Sequence, residues 1–430
     1  MTKNILQALP ELVKAEVISP ETADQIRQYY RSHAGKPTHM LVIVFGILGA
    51  LLVGLGIILM LAHNWDELSR TARTGLAFLP LLLGQGLGVY VLQQRAASVA
   101  WRESAATFLF LAVGASIALV SQIYHIPNHG GTFLLTWMLL ALPLVYLLRS
   151  SIVSLLYLAG ITFYAVEKRD LFNAASQPYF YWVLLLGVLP HYYRLYRQRP
   201  ASNFTIFHHW MLPLSVSIAL ITVGDDTYPL LFIAFFSLFS LFCFLGSSPL
   251  LAGQPLRNNG YRVVGTLATA GLLLALSFDF FWQDLLQQKL AFPALFGTPE
   301  FFAAALLTVL ALTVLIRRSR RQGIGSSSSL EFTFLLFLLA FFAAYLHPTF
   351  SVVLINLVVL LLGLEAIWRG ARLGQLGTMN FGLLLVAALV TCRFFDTDLS
   401  FVFRGALFVL VGLGFFFTNY RMLQKRKTHE

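Results

Sequence analysis

The stretch TYPLLFIAFFSLFSLFCFL at residues 227–245 contains no charged residue. As an α-helix it would be roughly 28 Å long, at about 1.5 Å per residue, which matches the hydrocarbon thickness of a bilayer. Similar apolar runs follow one another along the chain. Of its 430 residues, 58% are hydrophobic and 11% are charged, about half the charged share of a soluble protein. The sequence therefore predicts an all-α, polytopic transmembrane helical bundle.

Charged or turn-forming residues separate the apolar runs from one another. The predicted spans cover residues 40–63, 75–93, 105–124, 131–148, 151–166, 178–196, 207–223, 227–245, 261–279, 300–316, 330–346, 349–367, 376–392 and 400–420. A transmembrane β-barrel would instead show segments of about ten residues with alternating hydrophobicity. A disordered chain would be far more polar. The pattern predicts about fourteen helical spans.

The distribution of Lys and Arg gives an independent check, because both residues are retained on the cytoplasmic side of a membrane. With the N-terminus inside, fourteen spans place 23 of the 30 basic residues on the cytoplasmic side. The net charge of +11 then reflects orientation in the membrane, and it gives no indication of a nucleic-acid partner. We expect a multipass protein of the bacterial inner (cytoplasmic) membrane with both termini in the cytoplasm.

Polar segments divide the chain into predicted units. These are a cytoplasmic helical segment at 1–39, a transmembrane unit of about ten helices at 40–316, a basic and Ser-rich cytoplasmic loop at 317–329, a four-helix transmembrane unit at 330–420 and a basic cytoplasmic tail at 421–430. The first segment is expected to form a helical hairpin packed under the bundle, and docking of a cytoplasmic protein partner is the alternative. The arginines at 317–321 are expected to contact anionic headgroups.

Four short runs resemble a known family. They are EVISPETADQIRQYY at 16–30, AHNWD at 62–66, SQIYH at 121–125 and RFFDTDLS at 393–400. These runs are similar to the DUF2157 group of predicted bacterial membrane proteins, most clearly in the N-terminal third and towards the C-terminus. The resemblance implies a multipass inner-membrane protein. It implies no catalytic residue, because the family is defined by sequence and not by an established activity.

Polar and charged residues gather at the predicted outer helix ends, whereas no Asp, Glu, Lys or Arg falls at the centre of a span. The lack of a central acid disfavours an ion-coupled pump. Asp66, Arg70 and Arg73 are spaced to share one helix face. The candidate substrate-binding residues are Asn64, Trp65, Asp66, Arg70, Arg73, Gln122, Tyr124, His125, Arg393, Asp396, Asp398 and Arg404. Structural ion pairs at Asp66–Arg70 and Arg393–Asp396 are an equally good interpretation.

Arginine in two hairpins favours binding of phosphate or carboxylate groups. The leading hypothesis is an outer-leaflet pocket that binds an anionic amphipathic molecule, such as a phospholipid or lipid-linked sugar, and moves it across the bilayer. Phosphate would contact Arg70, Arg73, Arg393 and Arg404, and the polar headgroup would contact Asn64, Asp66, His125 and Asp396. One alternative is a transferase acting on a lipid-linked sugar, with Asp66 or Asp396 as general base. The other is a non-catalytic scaffold or sensor that uses residues 1–39. Membrane lipids are the expected partners, and a non-enzymatic protein is favoured.

No metal site and no cofactor are predicted. His125 and His129 are four residues apart, but Pro127 and the glycines at 130–131 break any helix that would align them. The usual zinc geometry is therefore disfavoured.

Three further motifs have simple structural interpretations. Cys243 and Cys392 fall near opposite membrane surfaces, so they are predicted to stay unpaired. The pair at 208–209, two histidines, is predicted to reach the headgroup region. The glycines within 84–88 are predicted to allow close helix packing, with local unwinding around a substrate as the alternative.

Overall fold

The computed structural model describes most of the chain and contains helices but no strand in the part that it describes. The described residues are 9–10, 12–33, 65–127, 130–168, 180–224, 229–287, 296–323 and 328–396, with single positions between 402 and 416. The predicted first span, most of the predicted last span and the basic tail lie outside them. The prediction of an all-α membrane bundle is confirmed.

Fourteen α-helices are found in the described residues. They are α1 (Pro20–His33), α2 (Arg70–Gln94), α3 (Val99–Ile123), α4 (Gly130–Leu147), α5 (Ser151–Lys168), α6 (Phe180–Gln198), α7 (Asn203–Ile221), α8 (Pro229–Gly246), α9 (Gly260–Ala275), α10 (Asp279–Gln287), α11 (Pro299–Gln322), α12 (Thr333–Leu346), α13 (Pro348–Leu373) and α14 (Leu376–Asp396). Short 3-10 turns occur at Trp65–Glu67, Leu256–Asn258 and Ser329–Phe332.

Nine helical segments of the described chain are long and apolar enough to cross a membrane. They include α2, α3, α4, α7, α8, α11, α13 and α14, and α12 together with the turn before it. Two shorter apolar helices, α5 and α9, accompany them. Each predicted span within the described residues coincides with one helix, whereas α10 lies in a stretch predicted to be an outer connection. The total of fourteen spans stays a prediction.

The chain divides into two compact units, residues 1–76 and residues 77–430. In the first unit, Glu16 takes a positive φ of 56° and ends a short helical turn, where the amide of Val17 donates to the carbonyl of Leu12 at 3.0 Å. Ser19 then caps α1, because its Oγ accepts from the amide of Thr22 at 3.1 Å. Two helical pieces joined by a tight turn are compatible with the predicted hairpin.

In the second unit, hydroxyl groups cross-link the apolar helices. The Tyr157 hydroxyl of α5 donates to the Leu184 carbonyl of α6 at 3.0 Å. Ser215 of α7 lies 2.6 Å from the Thr162 hydroxyl and 2.8 Å from the Tyr181 hydroxyl. Such bonds stabilise transmembrane packing, because lipid offers no alternative partner to a buried hydroxyl. They fix α5, α6 and α7 against one another.

One end of this unit is rich in arginine, and we call it the arginine end. It is formed by the start of α3, α5, α7, α9, α12 and α14 and by the close of α6, α8, α11 and α13. Tyr196 donates to the Leu250 carbonyl and Trp210 to the Arg257 carbonyl, both at 3.0 Å. These bonds join α6 and α7 to the connection between α8 and α9. The charge count assigns these same connections to the cytoplasm.

The most extensive contact between two helices joins α13 and α14. It depends on small residues, as is common in membrane helices. A Cβ added at Gly382 would lie 2.5 Å from the carbonyl oxygen of Gly363 and 2.7 Å from the backbone nitrogen of Ile367. Backbone atoms cannot rotate away, so any side chain at Gly382 must separate the two helices.

We therefore expect Gly382→Ala to destabilise the protein by about 1–3 kcal/mol, the usual cost of overpacking. The melting temperature of the purified protein in detergent would show this loss. Gly377→Ala is the matched control on the same helix, because a Cβ there would meet nothing within 4 Å. Equal melting temperatures for the two variants would contradict the close approach.

Candidate functional site

An apolar groove lies between α2, α3 and α4. It has a volume of about 580 Å³. Its walls are mainly apolar, with hydroxyl and amide groups spaced along them. The lining includes Leu81, Gln85, Leu109, Val113, Ser116, Ile117, Val120, Ser121, Phe133, Thr136, Leu140 and Leu144. A groove of this composition fits an acyl or polyprenyl chain, because such a chain offers apolar surface and no hydrogen-bonding group.

Close approach of α2 and α3 forms one wall of this groove. A Cβ at Gly84 would lie 3.0 Å from the Leu109 side chain and 3.3 Å from its Cα. The Ser116 hydroxyl of α3 donates to the Ala77 carbonyl of α2 at 2.7 Å. Helix α2 continues without a break across Pro80. These contacts favour the packing interpretation of the glycines at 84–88 over local unwinding.

A shallow mouth with a mainly apolar wall adjoins the groove at the end of α3. This second cavity is lined by Gln122 and His125 and shares Ser121, Ile126 and Phe133 with the groove. His125 has a positive φ of 53° and turns the chain out of α3. Ser121 holds the turn, because its Oγ donates to the Ile126 carbonyl at 3.0 Å. Two predicted site residues, Gln122 and His125, therefore lie together where polar surface meets the apolar groove.

The third predicted site residue near the end of α3, Tyr124, lies apart from Gln122 and His125. Tyr124 is exposed and follows the last residue of α3. It does not line the groove or its mouth.

The predicted residues of the first outer connection lie in the unit formed by residues 1–76. Trp65 is partly buried in a 3-10 turn, and Arg70 starts α2. The Nε of Arg73 donates to the Leu68 carbonyl at 2.9 Å, so this arginine is partly used in closing its own turn. Asn64 and the side chain of Asp66 lie outside the described residues, and the predicted Asp66–Arg70 pair stays a prediction.

Arg393, the predicted residue on α14, contacts the end of α9. Its guanidinium donates to the Ser277 hydroxyl at 3.3 Å and lies over the Phe278 ring at 4.9 Å from the ring centre. A guanidinium over an aromatic face is a stabilising contact. Asp398, Arg404 and the side chain of Asp396 lie outside the described residues. Arg393 is thus at least partly structural, and it does not line the groove or its mouth.

The residues that form the groove lie in a part of the chain that matches a protein-family model. Residues 10–154 match the family model DUF2157, described as a predicted membrane protein. The predicted resemblance is confirmed over those residues, which include all of α2, α3 and α4. The similar run at 393–400 lies beyond the match. The chain matches no curated protein and no solved structure.

A charged cavity at the arginine end lies outside the matched residues. We call it the arginine-end cavity; its volume is about 450 Å³, and its charged lining residues are Arg262, Arg318, Glu331, Glu365 and Arg369. Apolar groups from α9, α13 and α14 form the rest of its wall. The cavity therefore combines an apolar interior with charges of both signs.

Two ion pairs of different burial line this cavity. Arg318 and Glu331 lie 3.0 Å apart, with 17% and 1% of their side chains exposed. Arg369 and Glu365 are also 3.0 Å apart but are about one-third exposed. The sequence alone does not reveal this site, because its charges come from four separate elements, namely α9, α11, the turn Ser329–Phe332 and α13. The one available signal was Glu331, an acid at the start of an otherwise apolar span.

The histidine pair at 208–209 is buried inside the protein and does not contact headgroups. Both side chains are 0% exposed, so that prediction is wrong. The Nδ1 of His208 lies 2.7 Å from the Phe204 carbonyl, which can only accept. In the neutral tautomer that carries its proton on Nδ1, the Nε2 accepts from the Ser154 hydroxyl at 2.8 Å. The start of α7 is packed among α5, α6 and α9, and these helices shield both imidazoles.

The remaining chemical groups offer little to a metal ion. Within the ranges that the structure describes, no group of three or more His, Cys, Asp or Glu side chains is arranged to hold one. Cys243 and Cys392 are free thiols.

Proposed function

We propose that the protein binds an anionic amphipathic lipid at the outer leaflet, through the groove of α2, α3 and α4, and moves it across the bilayer. The observation that carries this proposal is the continuity of the groove with the mouth, to which Gln122 and His125 add polar side chains. A lipid tail would lie along the groove. Its headgroup would then contact Gln122 and His125 at the mouth, at the membrane surface.

The arginines predicted to bind phosphate complete the proposal. Arg70 starts the helix that supplies Leu81 and Gln85 to the groove. Arg73, Arg393 and Arg404 would add positive charge on the same membrane face, and Asn64, Asp66, Asp396 and Asp398 would contact polar headgroup atoms. Movement to the other leaflet is supported by the arginine-end cavity, because its apolar walls and arginines suit the same class of molecule.

The proposed orientation has both termini in the cytoplasm of a bacterial inner membrane, with about fourteen spans. The arginine end then faces the cytoplasm, in agreement with the retention of Lys and Arg on that side. In the same proposal residues 1–39 form a cytoplasmic hairpin that is available to a protein partner.

Lipid retention provides the test of this function. We expect mass spectrometry of the protein purified in mild detergent to detect a defined anionic lipid, and Thr136→Trp to remove it by filling the groove that Thr136 lines. Leu139→Trp is the matched control, because Leu139 is 53% exposed on the same helix and does not line the groove. Gln122→Ala, Asp66→Ala and Arg393→Ala test the headgroup contacts one at a time.

The variants separate binding from stability. If Thr136→Trp and Leu139→Trp retain the same lipids in the same amounts, the groove is not the binding site. Loss of lipid in Thr136→Trp alone, with a melting temperature equal to that of the control, supports the site. Transport is then measured with a labelled lipid in proteoliposomes, where Thr136→Trp is expected to abolish its movement between leaflets.

A further inference from the structure

A second cavity at the arginine end is strongly basic. It has a volume of about 180 Å³ and lies where α3, α5, α6 and α7 meet. Four arginines line it, namely Arg102, Arg149, Arg194 and Arg199, together with one acid, Glu103. We call it the four-arginine cavity. It shares no lining residue with the groove, whose mouth lies at the opposite end of α3.

The one acid of the four-arginine cavity is already engaged. Glu103 is 7% exposed, and its carboxylate accepts from the Ser150 hydroxyl and from the amides of Ser151 and Ile152, at 2.9 and 3.0 Å. Its negative charge therefore serves the start of α5. Over the described ranges no ion pair joins a carboxylate to any of the four arginines. Their positive charge is left for a ligand.

Two buried nitrogen atoms beside the cavity have no partner within the described chain. One is the Nε of Arg102 and the other is the Nε2 of His191. Both residues line the cavity, and His191 is 6% exposed. Leaving a buried polar atom without a partner is costly, so such an atom in a native structure indicates an absent ligand or water. An acceptor in the cavity would satisfy the Nε of Arg102, and also the Nε2 of His191 in the tautomer that carries its proton there.

We propose that the four-arginine cavity binds the phosphate group of an anionic phospholipid on the cytoplasmic leaflet. Guanidinium groups match phosphate oxygens with paired, charge-assisted hydrogen bonds. Basic cavities between transmembrane helices on the cytoplasmic side are suited to such headgroups. Val99, Leu195 and Phe204 supply apolar wall to the cavity, and this surface suits the glycerol and upper acyl carbons. Free inorganic phosphate carries the same chemical group. The experiment must therefore distinguish binding of a phospholipid headgroup from binding of free phosphate.

The test uses the full-length protein with a phosphate group supplied in two forms. It is placed in nanodiscs of phosphatidylcholine with or without phosphatidylglycerol, and separately in detergent with inorganic phosphate. We expect phosphatidylglycerol to raise the melting temperature. In native mass spectrometry, Arg102→Gln combined with Arg194→Gln is expected to weaken phosphatidylglycerol binding by about 25-fold, since each arginine near a headgroup contributes about five-fold.

Two variants keep the test decisive. Arg194→Gln alone changes an exposed position and is expected to weaken binding by about five-fold without affecting folding. Arg95→Gln is the matched control in the α2–α3 connection, because Arg95 is exposed and does not line the cavity. Thr136→Trp changes only the groove, so this variant is expected to bind phosphatidylglycerol as strongly as the wild-type protein does.

Three outcomes would overturn the assignment. If Arg95→Gln weakens binding as much as Arg194→Gln, only general surface charge is involved. If phosphatidylglycerol changes the melting temperature of neither the wild-type protein nor any variant, the headgroup is not bound. If inorganic phosphate alone raises the melting temperature, through the same arginines, the cavity takes a free anion and the lipid assignment is wrong.

Discussion

The substitution Glu331→Ala is expected to lower the free energy of unfolding by about 3 kcal/mol, the loss seen when one partner of a buried ion pair is removed. Glu331 is 1% exposed and lies 3.0 Å from Arg318, which is 17% exposed. Without the carboxylate, the guanidinium stays in a low-dielectric cavity with less compensation for its lost hydration. The measurement is unfolding of the purified protein in mixed micelles, monitored by its tryptophan fluorescence.

A second ion pair of the same cavity gives the control. Glu365→Ala removes the partner of Arg369 at the same distance of 3.0 Å, but both side chains are about one-third exposed. We expect a loss of about 0.3–0.5 kcal/mol there, as for other exposed i,i+4 pairs. Replacing Glu331 and Arg318 together by Leu and Met should recover most of the stability, because no uncompensated charge remains. Equal losses for Glu331→Ala and Glu365→Ala would show that burial does not decide the effect.

The positions of the helices could be predicted from the sequence, because bilayer thickness sets a minimum length for an apolar run. The run at 227–245, for example, appears as α8, Pro229–Gly246. The inner surface of the bundle could not be predicted in this way. Hydrophobicity is nearly uniform around these helices, since lipid and protein interior are both apolar, so periodicity does not identify the packed face.

The same limitation explains the errors at the arginine end. The run at 317–321 was expected to contact headgroups, and Arg318 instead turns inward to Glu331. The histidines at 208–209 were expected at the surface and are fully buried. Each case depends on a contact with another helix. Gln122 and His125 lie together because they are close in the chain, whereas the groove beside them requires three packed helices.

Glu103→Ala is expected to cost about 3 kcal/mol, because it leaves three donors at the start of α5 without their acceptor. The Ser150 hydroxyl and the amides of Ser151 and Ile152 donate to this carboxylate. Ser150 in turn accepts from the amide of Val153 at 3.2 Å. Glu103 and Ser150 thus satisfy three amides that no helix can satisfy internally. A carboxylate there also interacts favourably with the positive end of the helix dipole.

This capping explains how α4 and α5 are joined so tightly. Arg149 takes a positive φ of 48° between them, a conformation that costs free energy for a residue with a side chain. The acid on α3 offsets that cost by binding the amides that the turn brings together. The cap therefore links three helices through one side chain, and its loss should loosen the start of α5 before it affects the rest of the bundle.

Hydrogen exchange and thermal unfolding together test this role. In Glu103→Ala, the amide hydrogens of peptides spanning 148–158 are expected to exchange faster than in the wild-type protein. The melting temperature of this variant is expected to be lower. Glu103→Gln should lose less stability than Glu103→Ala. Its amide oxygen still accepts a hydrogen bond, while its NH₂ group faces the donors. Ser104→Ala is the control at the neighbouring exposed position, where a change within about 0.5 kcal/mol is expected. If Glu103→Ala exchanges like Ser104→Ala at the start of α5, the carboxylate does not hold that turn.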